Sequence, residues 1–156
     1  MANTQAMCNS FKRELMNGEH QFGAPTLVSR TSLTAPTVDS FKAALYLVSA
    51  TVNKSTTAYS STGEVTGSGY SAGGVVVTNA TAPTLSTDTA VWTPSASIVY
   101  SSVTLSTAFD AVLIYNDTQN DKAVSVHTFG SQTVTAGTLT LTMPANAAGT
   151  ALLQLA

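Results

Sequence analysis

One stretch limits the possible folds more than any other: residues 108–130 predict two β-strands joined by a polar turn. The first strand, Phe109 to Tyr115, is almost wholly apolar, as expected of a strand buried on both faces. The second, Val124 to Phe129, alternates apolar and polar residues, which indicates one buried face. A cluster of Asn and Asp lies between them, and their short polar side chains favour turns. We therefore predict a central hairpin in a β domain.

Further short strands are predicted on both sides of this hairpin. Phe41 to Val48 alternates and predicts a strand with one face in the core. Residues 63–74 carry five glycines in twelve positions, which favours sharp turns, a bulge or close approach of another backbone. The other strands are predicted at residues 75–78, 90–93, 98–105, 133–143 (with a turn at Ala136-Gly137) and 152–155. This spacing is typical of an all-β sandwich or barrel, with a core of Leu45, Leu47, Val112, Ile114, Val126, Leu139 and Leu141.

A short amphipathic helix is predicted before the first strand, from about Thr4 to Asn17. Its apolar residues recur every four positions, and Asn17-Gly18 is a typical helix stop. A helix of this length is not stable alone, so its apolar stripe must pack against the sandwich or against a neighbouring molecule. The stripe consists of Met7, Phe11 and Leu15.

Residues 24–37 predict an extended arm or an edge segment, because two prolines bracket an otherwise β-branched run. Pro25 and Pro36 stiffen its ends and so lower the entropy lost on docking. We expect the arm or the helix to provide part of a partner contact. The candidate interface residues are Leu27, Val28, Arg30 and Leu33 in the arm, and Met7, Phe11 and Leu15 in the helix.

The composition favours one domain over residues 1–156, with a helix in residues 1–18 and the arm in residues 24–37. Charged residues make up 9% of the chain, whereas Ser and Thr together number 44. A partner can cover such a hydroxyl-rich surface with little desolvation of charge.

The same composition argues against several kinds of partner. The net charge is -2 and only six Lys and Arg are present, so nucleic acid is not expected. Cys8 is the sole cysteine, which excludes an internal disulfide and a zinc site built from several thiolates. No segment reaches the roughly 20 apolar residues of a membrane span, and no signal peptide is evident at the N-terminus. We expect a protein made in the cytoplasm, with no membrane partner.

One pentapeptide matches a catalytic motif. Residues 69–73 read G-x-S-x-G, the nucleophile elbow of α/β-hydrolases, and Asp110 or Asp117 and then His127 follow in the required order. The elbow must join a buried strand to a helix, however, whereas a glycine and a predicted strand follow Ser71. We predict a turn there and no catalytic residue.

The remaining polar candidates predict no metal or cofactor site. His127 is expected to face solvent or a partner, and His20 follows the helix stop, where a cation is favourable. Neither histidine has a second one at ligand spacing. Residues 117–121 supply oxygen ligands that suit calcium, but they lack the glycine and distal glutamate of an EF-hand, so a plain turn is favoured. Cys8 is expected to be a small packing residue.

Several segments together resemble small virion proteins of tailed bacteriophages, especially the cement or decoration proteins of podovirus-type capsids. These segments are CNSFKRELMNGEHQF, FKAALYLVSA, TTAY followed by GEVTGSGYSAGG, AVLIYND and DKAVSVHTFG, in collinear order over most of the chain. The resemblance implies a jelly-roll-like β-sandwich on the outside of an icosahedral capsid. It also implies a homo-oligomer, a dimer or trimer, that bridges neighbouring major capsid proteins. The arm at residues 24–37 is longer than the link expected in that family.

Three other functions compete with this interpretation. A phage tail or receptor-binding β module is the main alternative, although a fibre ordinarily shows repeats or a coiled segment, and neither is present. A carbohydrate-binding sandwich would use Trp92 and exposed tyrosines. An enzyme would be built on Ser71.

Overall fold

The computed structural model describes residues 3–16, 18–20, 22, 37–78 and 82–156, with Met16 described by its backbone alone. The predicted arm lies outside the described residues apart from Thr37, and so do Leu27, Val28, Arg30 and Leu33. In chain order the elements are β1 (Ala6–Met7), α1 (Asn9–Met16), β2 (Phe41–Leu47), β3 (Val75–Val76), β4 (Thr84–Ser86), β5 (Thr89–Trp92), β6 (Ile98–Asn116), β7 (Lys122–Leu141) and β8 (Leu153–Leu155).

The strands form two antiparallel sheets that pack together. The large sheet has the order β1-β7-β6-β2-β3, and the small sheet has the order β4-β5-β8. The prediction of an all-β sandwich with one short helix near the N-terminus is confirmed.

The central hairpin is longer than predicted. β6 contains 19 residues and β7 contains 20, so the strands predicted at 98–105 and 133–143 are continuations of the two hairpin strands. Pairing is maintained through several shifts of register, most of them between Tyr100 and Ala111. The predicted turn at Ala136-Gly137 is wrong, because β7 continues through it with Ala136 in the left-handed region (φ 44°). Such bulges bend a hairpin without ending it.

The helix begins later than predicted. Residues 4–8 are not helical, because the backbone of Ala6–Met7 pairs with Val126 and Ser125 at the edge of β7. The Thr4 N–H also donates to the carbonyl oxygen of Val52 (3.1 Å). These pairings satisfy backbone groups that a first helical turn would leave without partners. α1 therefore starts at Asn9 and contains only eight residues.

Both faces of β2 and of the adjoining half of β6 are buried, although β2 was predicted to bury one. Residues opposite each other share a face, so Ala44 and Tyr46 of β2 lie on the same side as Leu113. Residues 49–62 cover this side, where the Tyr46 hydroxyl donates to Ser60 O (2.6 Å). The other side meets α1 and the small sheet. The second face of β2, for which the alternation predicted no burial in the core, is therefore buried as well.

Most of the predicted core residues are buried: Leu45, Val112, Ile114, Val126 and Leu139. Leu47 and Leu141 are half-buried and pack at its margin. The small sheet joins the core through Trp92, whose ring centroid lies 4.7 Å from that of Phe22. Phe22 in turn stacks on Phe41 at 4.7 Å. Aromatic packing thus connects the two sheets.

Two details of the smaller strands differ from prediction. The strand predicted at 75–78 as buried is only Val75–Val76, and Val76 is 62% exposed at the sheet edge. β4 was not predicted. It pairs with β5 through a tight turn in which Thr87 has a positive φ of 57°.

Candidate functional site

The glycine-rich segment forms turns against the edge of β2 and does not form a nucleophile elbow. Ser71 is exposed, and its carbonyl oxygen accepts a hydrogen bond from the Gly74 N–H (3.0 Å). A Cβ atom at Gly74 would lie 1.7 Å from the Ala43 carbonyl oxygen, so the expected close approach of two backbones is confirmed. Among the described residues, no hydrogen bond joins Ser71 to His127. The His127 Nε2 atom lies 2.9 Å from Ser125 Oγ instead.

A buried carboxylate holds this segment in place. Glu64 Oε1 accepts hydrogen bonds from the Tyr70 hydroxyl (2.7 Å) and the Gly73 N–H (2.8 Å), and Oε2 accepts one from the Tyr59 hydroxyl (2.6 Å). Burial and the hydrogen bonds to Glu64 raise the pKa of both phenols. Three donors satisfy a carboxylate well without a counter-ion. We name Glu64, Tyr59, Tyr70 and Gly73 the Glu64 cluster.

The other three tyrosines are also anchored by their hydroxyls. Tyr100 donates to Ala43 O and Tyr115 donates to Gly73 O, both at 2.8 Å. Burial raises the pKa of Tyr46 to about 12. All eleven aromatic residues of the chain lie within the described part, and none of their side chains is exposed. An aromatic platform of the kind that stacks on sugars is therefore absent from the described residues.

His20 lies in a buried polar network and does not face solvent at the helix end. Asn116 Oδ1 accepts hydrogen bonds from the backbone N–H groups of Thr118 and Gln119, both at 3.1 Å. Its amide nitrogen must therefore donate, to Asp39 Oδ2 (2.7 Å) and to His20 Nδ1 (3.0 Å). His20 then carries its proton on Nε2, which lies 2.9 Å from a carboxylate oxygen of Glu14. This network ties α1 to the β6–β7 turn.

The turn at residues 117–121 is confirmed. Asn120 and Asp121 adopt the left-handed conformation (φ 55° and 58°), and Asp117 forms an ion pair with Lys42 (2.7 Å). Over the described ranges, no group of three or more His, Cys, Asp or Glu side chains could hold a metal ion. These polar groups contact one another and the backbone, so the geometry indicates a structural turn.

Cys8 is a packing residue, as expected. It is fully buried between β1 and α1, and its sulfur lies 3.9 Å from the Asn53 carbonyl oxygen. Burial, followed by the charge of Glu14, raises the pKa of the thiol to about 11. The thiolate that nucleophilic chemistry requires is therefore strongly disfavoured.

The helix candidates have different positions. Phe11 is buried in the chain's own core, with its ring centroid 4.8 Å from that of His20, and its role at an interface stays a prediction. Met7 belongs to β1, although the sequence predicted it in the helix. Met7 and Leu15 are half-buried and remain accessible along an apolar groove.

This groove, which we name the small-sheet groove, runs between α1 and the small sheet. The described residues along it come from both and from the segments beside them: Met7, Phe11, Leu15, Phe22, Pro83, Ala90, Val91, Trp92, Leu153, Gln154 and Leu155. None of them is charged. At the outer rim, Leu85 lies opposite Ala90, which lies opposite Leu155, so one sheet face carries all three. Leu85 is 77% exposed and Leu155 is 47% exposed.

The core of the protein therefore covers only the inner end of this apolar face of the small sheet. Trp92 and Leu153, at the inner end, are buried in the core. Ala90, Leu155 and Leu85 continue the same face outward, where no described residue buries them. Contiguous apolar surface that the chain does not cover marks interaction sites in soluble proteins.

Comparisons with known proteins provide no relative on which to base a function: no family model, curated protein or solved structure matched the chain. Within the described residues, no helix is long and apolar enough to cross a membrane.

Sequence reasoning missed three of these features: the Glu64 cluster, the His20 network and the small-sheet groove. Glu64 is the only acidic residue within the glycine-rich run, and this was a signal for the Glu64 cluster. A buried carboxylate there needs hydrogen-bond donors from the surrounding loop. β4 gave no such signal, since its three residues are too few to show a period.

Proposed function

We propose that this chain is a virion structural protein, a cement or decoration protein that binds the outside of an icosahedral phage capsid and bridges major capsid proteins. The observation that carries the proposal is the small-sheet groove with its exposed leucines at the rim. The groove favours a protein partner, and the sequence resemblance supplies the identity of that partner.

The chemistry of the surface suits this role. Few charges need to be desolvated when a partner covers a surface rich in Ser and Thr. Each copy needs only modest contacts, because a homo-oligomer that touches several shell subunits gains from effective concentration. Since the described residues that line the groove carry no charge, attachment should survive moderate salt.

The alternatives receive less support. A carbohydrate-binding sandwich needs exposed aromatic rings, whereas the single tryptophan is buried and every tyrosine hydroxyl donates to a protein acceptor. A hydrolase needs a base beside Ser71, and His127 is hydrogen-bonded to Ser125 instead. A tail or receptor-binding module would also use an apolar groove, so it remains the main competing proposal.

The copy number in purified virions separates a shell protein from a tail protein. Shell symmetry requires hundreds of copies, whereas tail symmetry requires roughly six to twelve. Quantitative mass spectrometry against the major capsid protein measures this ratio. We expect hundreds of copies, and a count near twelve would favour the tail module.

Rebinding tests the attachment directly. Purified protein is added to capsids that lack it, and occupancy is measured as salt is raised. We expect saturable binding to the outer surface that changes little up to moderate salt. Failure of the intact protein to bind shells would contradict the decoration proposal.

The arm is tested separately, because it lies outside the described residues. A variant lacking residues 24–37 is first checked for a cooperative melt and then added to the same capsids. We expect lower occupancy than for the intact chain. Unchanged occupancy would remove Leu27, Val28, Arg30 and Leu33 from the interface.

A further inference from the structure

The bent β6–β7 hairpin borders a second cavity, a cleft distinct from the small-sheet groove. The shifts of register between Tyr100 and Ala111 bend both strands, so residues from the two halves of the hairpin line one cleft. Val112 and Ile114 come from one half, and Ile98 and Leu139 from the other. The cleft has a volume of about 350 Å³.

The walls of this cleft are mostly apolar. Phe129, Met143 and Leu152 extend the hydrophobic lining, and His127 and Gln132 are among the few polar residues. No Asp, Glu, Lys or Arg is among the described residues that line it. Small-molecule sites in proteins typically have volumes of about 300 to 1,000 Å³ and combine apolar walls with a few polar groups. A charged ligand would lose its hydration here without gaining a counter-ion.

His127 provides one hydrogen-bonding position in this lining. Loss of solvent lowers the pKa of His127 to about 4, so the imidazole is neutral near pH 7. Its Nε2 atom is hydrogen-bonded to Ser125 Oγ (2.9 Å), whereas Nδ1 has no protein partner among the described residues. If Nε2 donates to the serine, Nδ1 is an acceptor, and if the serine donates, Nδ1 is a donor. A ligand hydroxyl satisfies either form because it both donates and accepts.

We propose that the cleft is a binding site for a small, uncharged, mostly apolar molecule that carries a hydroxyl group, and that His127 hydrogen-bonds this hydroxyl. The volume of the cleft determines the size of the ligand, and its uncharged described lining favours an uncharged one. The Nδ1 nitrogen of the neutral His127 imidazole favours a ligand with a hydroxyl group. The inference does not depend on the proposed capsid function.

The chain provides its own reporters for a test. Its only two isoleucines, Ile98 and Ile114, both line the cleft, whereas its only tryptophan, Trp92, lines the small-sheet groove. In the full-length protein with labelled isoleucine methyl groups, NMR titration with 1-naphthol should shift both isoleucine signals saturably and leave the Trp92 indole signal in place. A saturable shift of Trp92 alone would place the ligand in the groove and overturn the proposal. Absence of any saturable shift would also overturn it.

A matched pair of probes tests the role of His127. 1-Naphthol and 1-methylnaphthalene have similar size and shape, but only the former has a hydroxyl. A net hydrogen bond contributes about 0.5 to 1.5 kcal/mol, so we expect 1-naphthol to bind roughly twofold to twelvefold more tightly. In His127→Phe, the preference for 1-naphthol should disappear or reverse, because its hydroxyl would lose water without gaining a partner, provided that the methyl spectrum shows a folded protein. Equal affinities in the wild-type protein would overturn the assignment of His127 without needing the variant.

Discussion

The Glu64 cluster and the small-sheet groove both border the same core, but the chain covers them to very different extents. Both carboxylate oxygens of Glu64 accept hydrogen bonds. Nearby, the backbone of Gly74 lies so close to that of Ala43 that a Cβ atom would not fit. Around the groove, a continuous apolar sheet face ends in Leu85 at 77% exposure. The difference separates a region in which the described residues complete their own packing from one in which they leave apolar surface uncovered.

The largest effect on stability should come from adding a methyl group where the glycine-rich segment contacts β2, with a glycine outside both regions as the control. Gly74 and Gly149 both have positive φ, at 74° and 85°, but only Gly74 lies against another backbone. Gly149→Ala should lower the free energy of unfolding by about 1 to 2 kcal/mol, through backbone strain alone. Gly74→Ala should lower it by about 2 to 5 kcal/mol, because overpacking adds to that strain. Urea denaturation measures both, and equal losses would show that the glycine-rich segment is not packed tightly on β2.

The next largest loss of stability should come from replacing the carboxylate of Glu64. Glu64→Ala removes the acceptor of three hydrogen bonds and should cost about 2 to 4 kcal/mol, with part of the loss recovered when water reaches the half-buried phenols. Glu64→Gln keeps the size and one acceptor oxygen, so it should cost about 1 kcal/mol. Hydrogen exchange at the Gly73 N–H should accelerate more in the alanine variant. A loss below about 0.5 kcal/mol for Glu64→Ala would mean that the cluster is not a stabilising anchor.

The sequence was most informative where residues alternate over a whole strand. β2, the hairpin and the buried Leu45, Val112 and Ile114 followed from the spacing of apolar residues. Periodicity reports which residues share a face, but not what covers that face. It therefore missed that Ala44 and Tyr46 are buried, and that the Tyr46 hydroxyl bonds to Ser60 in the loop of residues 49–62. This loop is rich in Ser and Thr and has no period of its own.

The candidate site was less predictable because tertiary contacts determine it. The helical spacing of Met7, Phe11 and Leu15 was genuine, but strand pairing at Ala6–Met7 took the first of them out of the helix. Phe11 then became a core residue. The groove forms only when α1 and the C-terminal strand β8 approach each other, and no local pattern in either segment encodes that approach. Interface residues in the arm remain predictions.

His127 is half-buried in the cleft, so it is covered less completely than Glu64 and more completely than the rim of the small-sheet groove. The expected effect of its protonation on the free energy of unfolding is intermediate. Its pKa is lowered from 6.5 in the unfolded chain to about 4 in the folded protein, so between these values the unfolded state binds more protons. Above pH 6.5 His127 is neutral in both states, and its contribution to the free energy of unfolding is fully present. This contribution is lost as the pH falls towards 4, because the unfolded state is protonated first. We expect a loss of about 1 to 2 kcal/mol from pH 7 to pH 5, reduced by residual solvent screening.

The matched variant His127→Gln keeps a polar side chain but does not titrate. Urea midpoints of the two proteins should converge or cross as the pH falls from 7 to 4.5, because only the wild-type protein loses this contribution. Parallel profiles would show that the His127 ring is well hydrated. That result would also weaken the case for an enclosed cleft.

The smallest effect on stability should come from a substitution at the rim of the small-sheet groove. Such a substitution tests binding, because it leaves folding almost unchanged. Leu85→Ser changes a residue that is already 77% exposed, so the free energy of unfolding should move by less than about 0.5 kcal/mol. If a shell subunit buries this leucine, the same change removes about 1 to 2 kcal/mol of contact and weakens attachment roughly fivefold to thirtyfold per site. Val76→Ser is the control, because Val76 is 62% exposed but lies on β3, at the far edge of the large sheet. Occupancy on capsids lacking the native protein should fall for Leu85→Ser and stay unchanged for Val76→Ser. An equal fall for both would indicate a diffuse apolar contact, and no fall for Leu85→Ser would mean that the uncovered sheet face is not the surface that binds the shell.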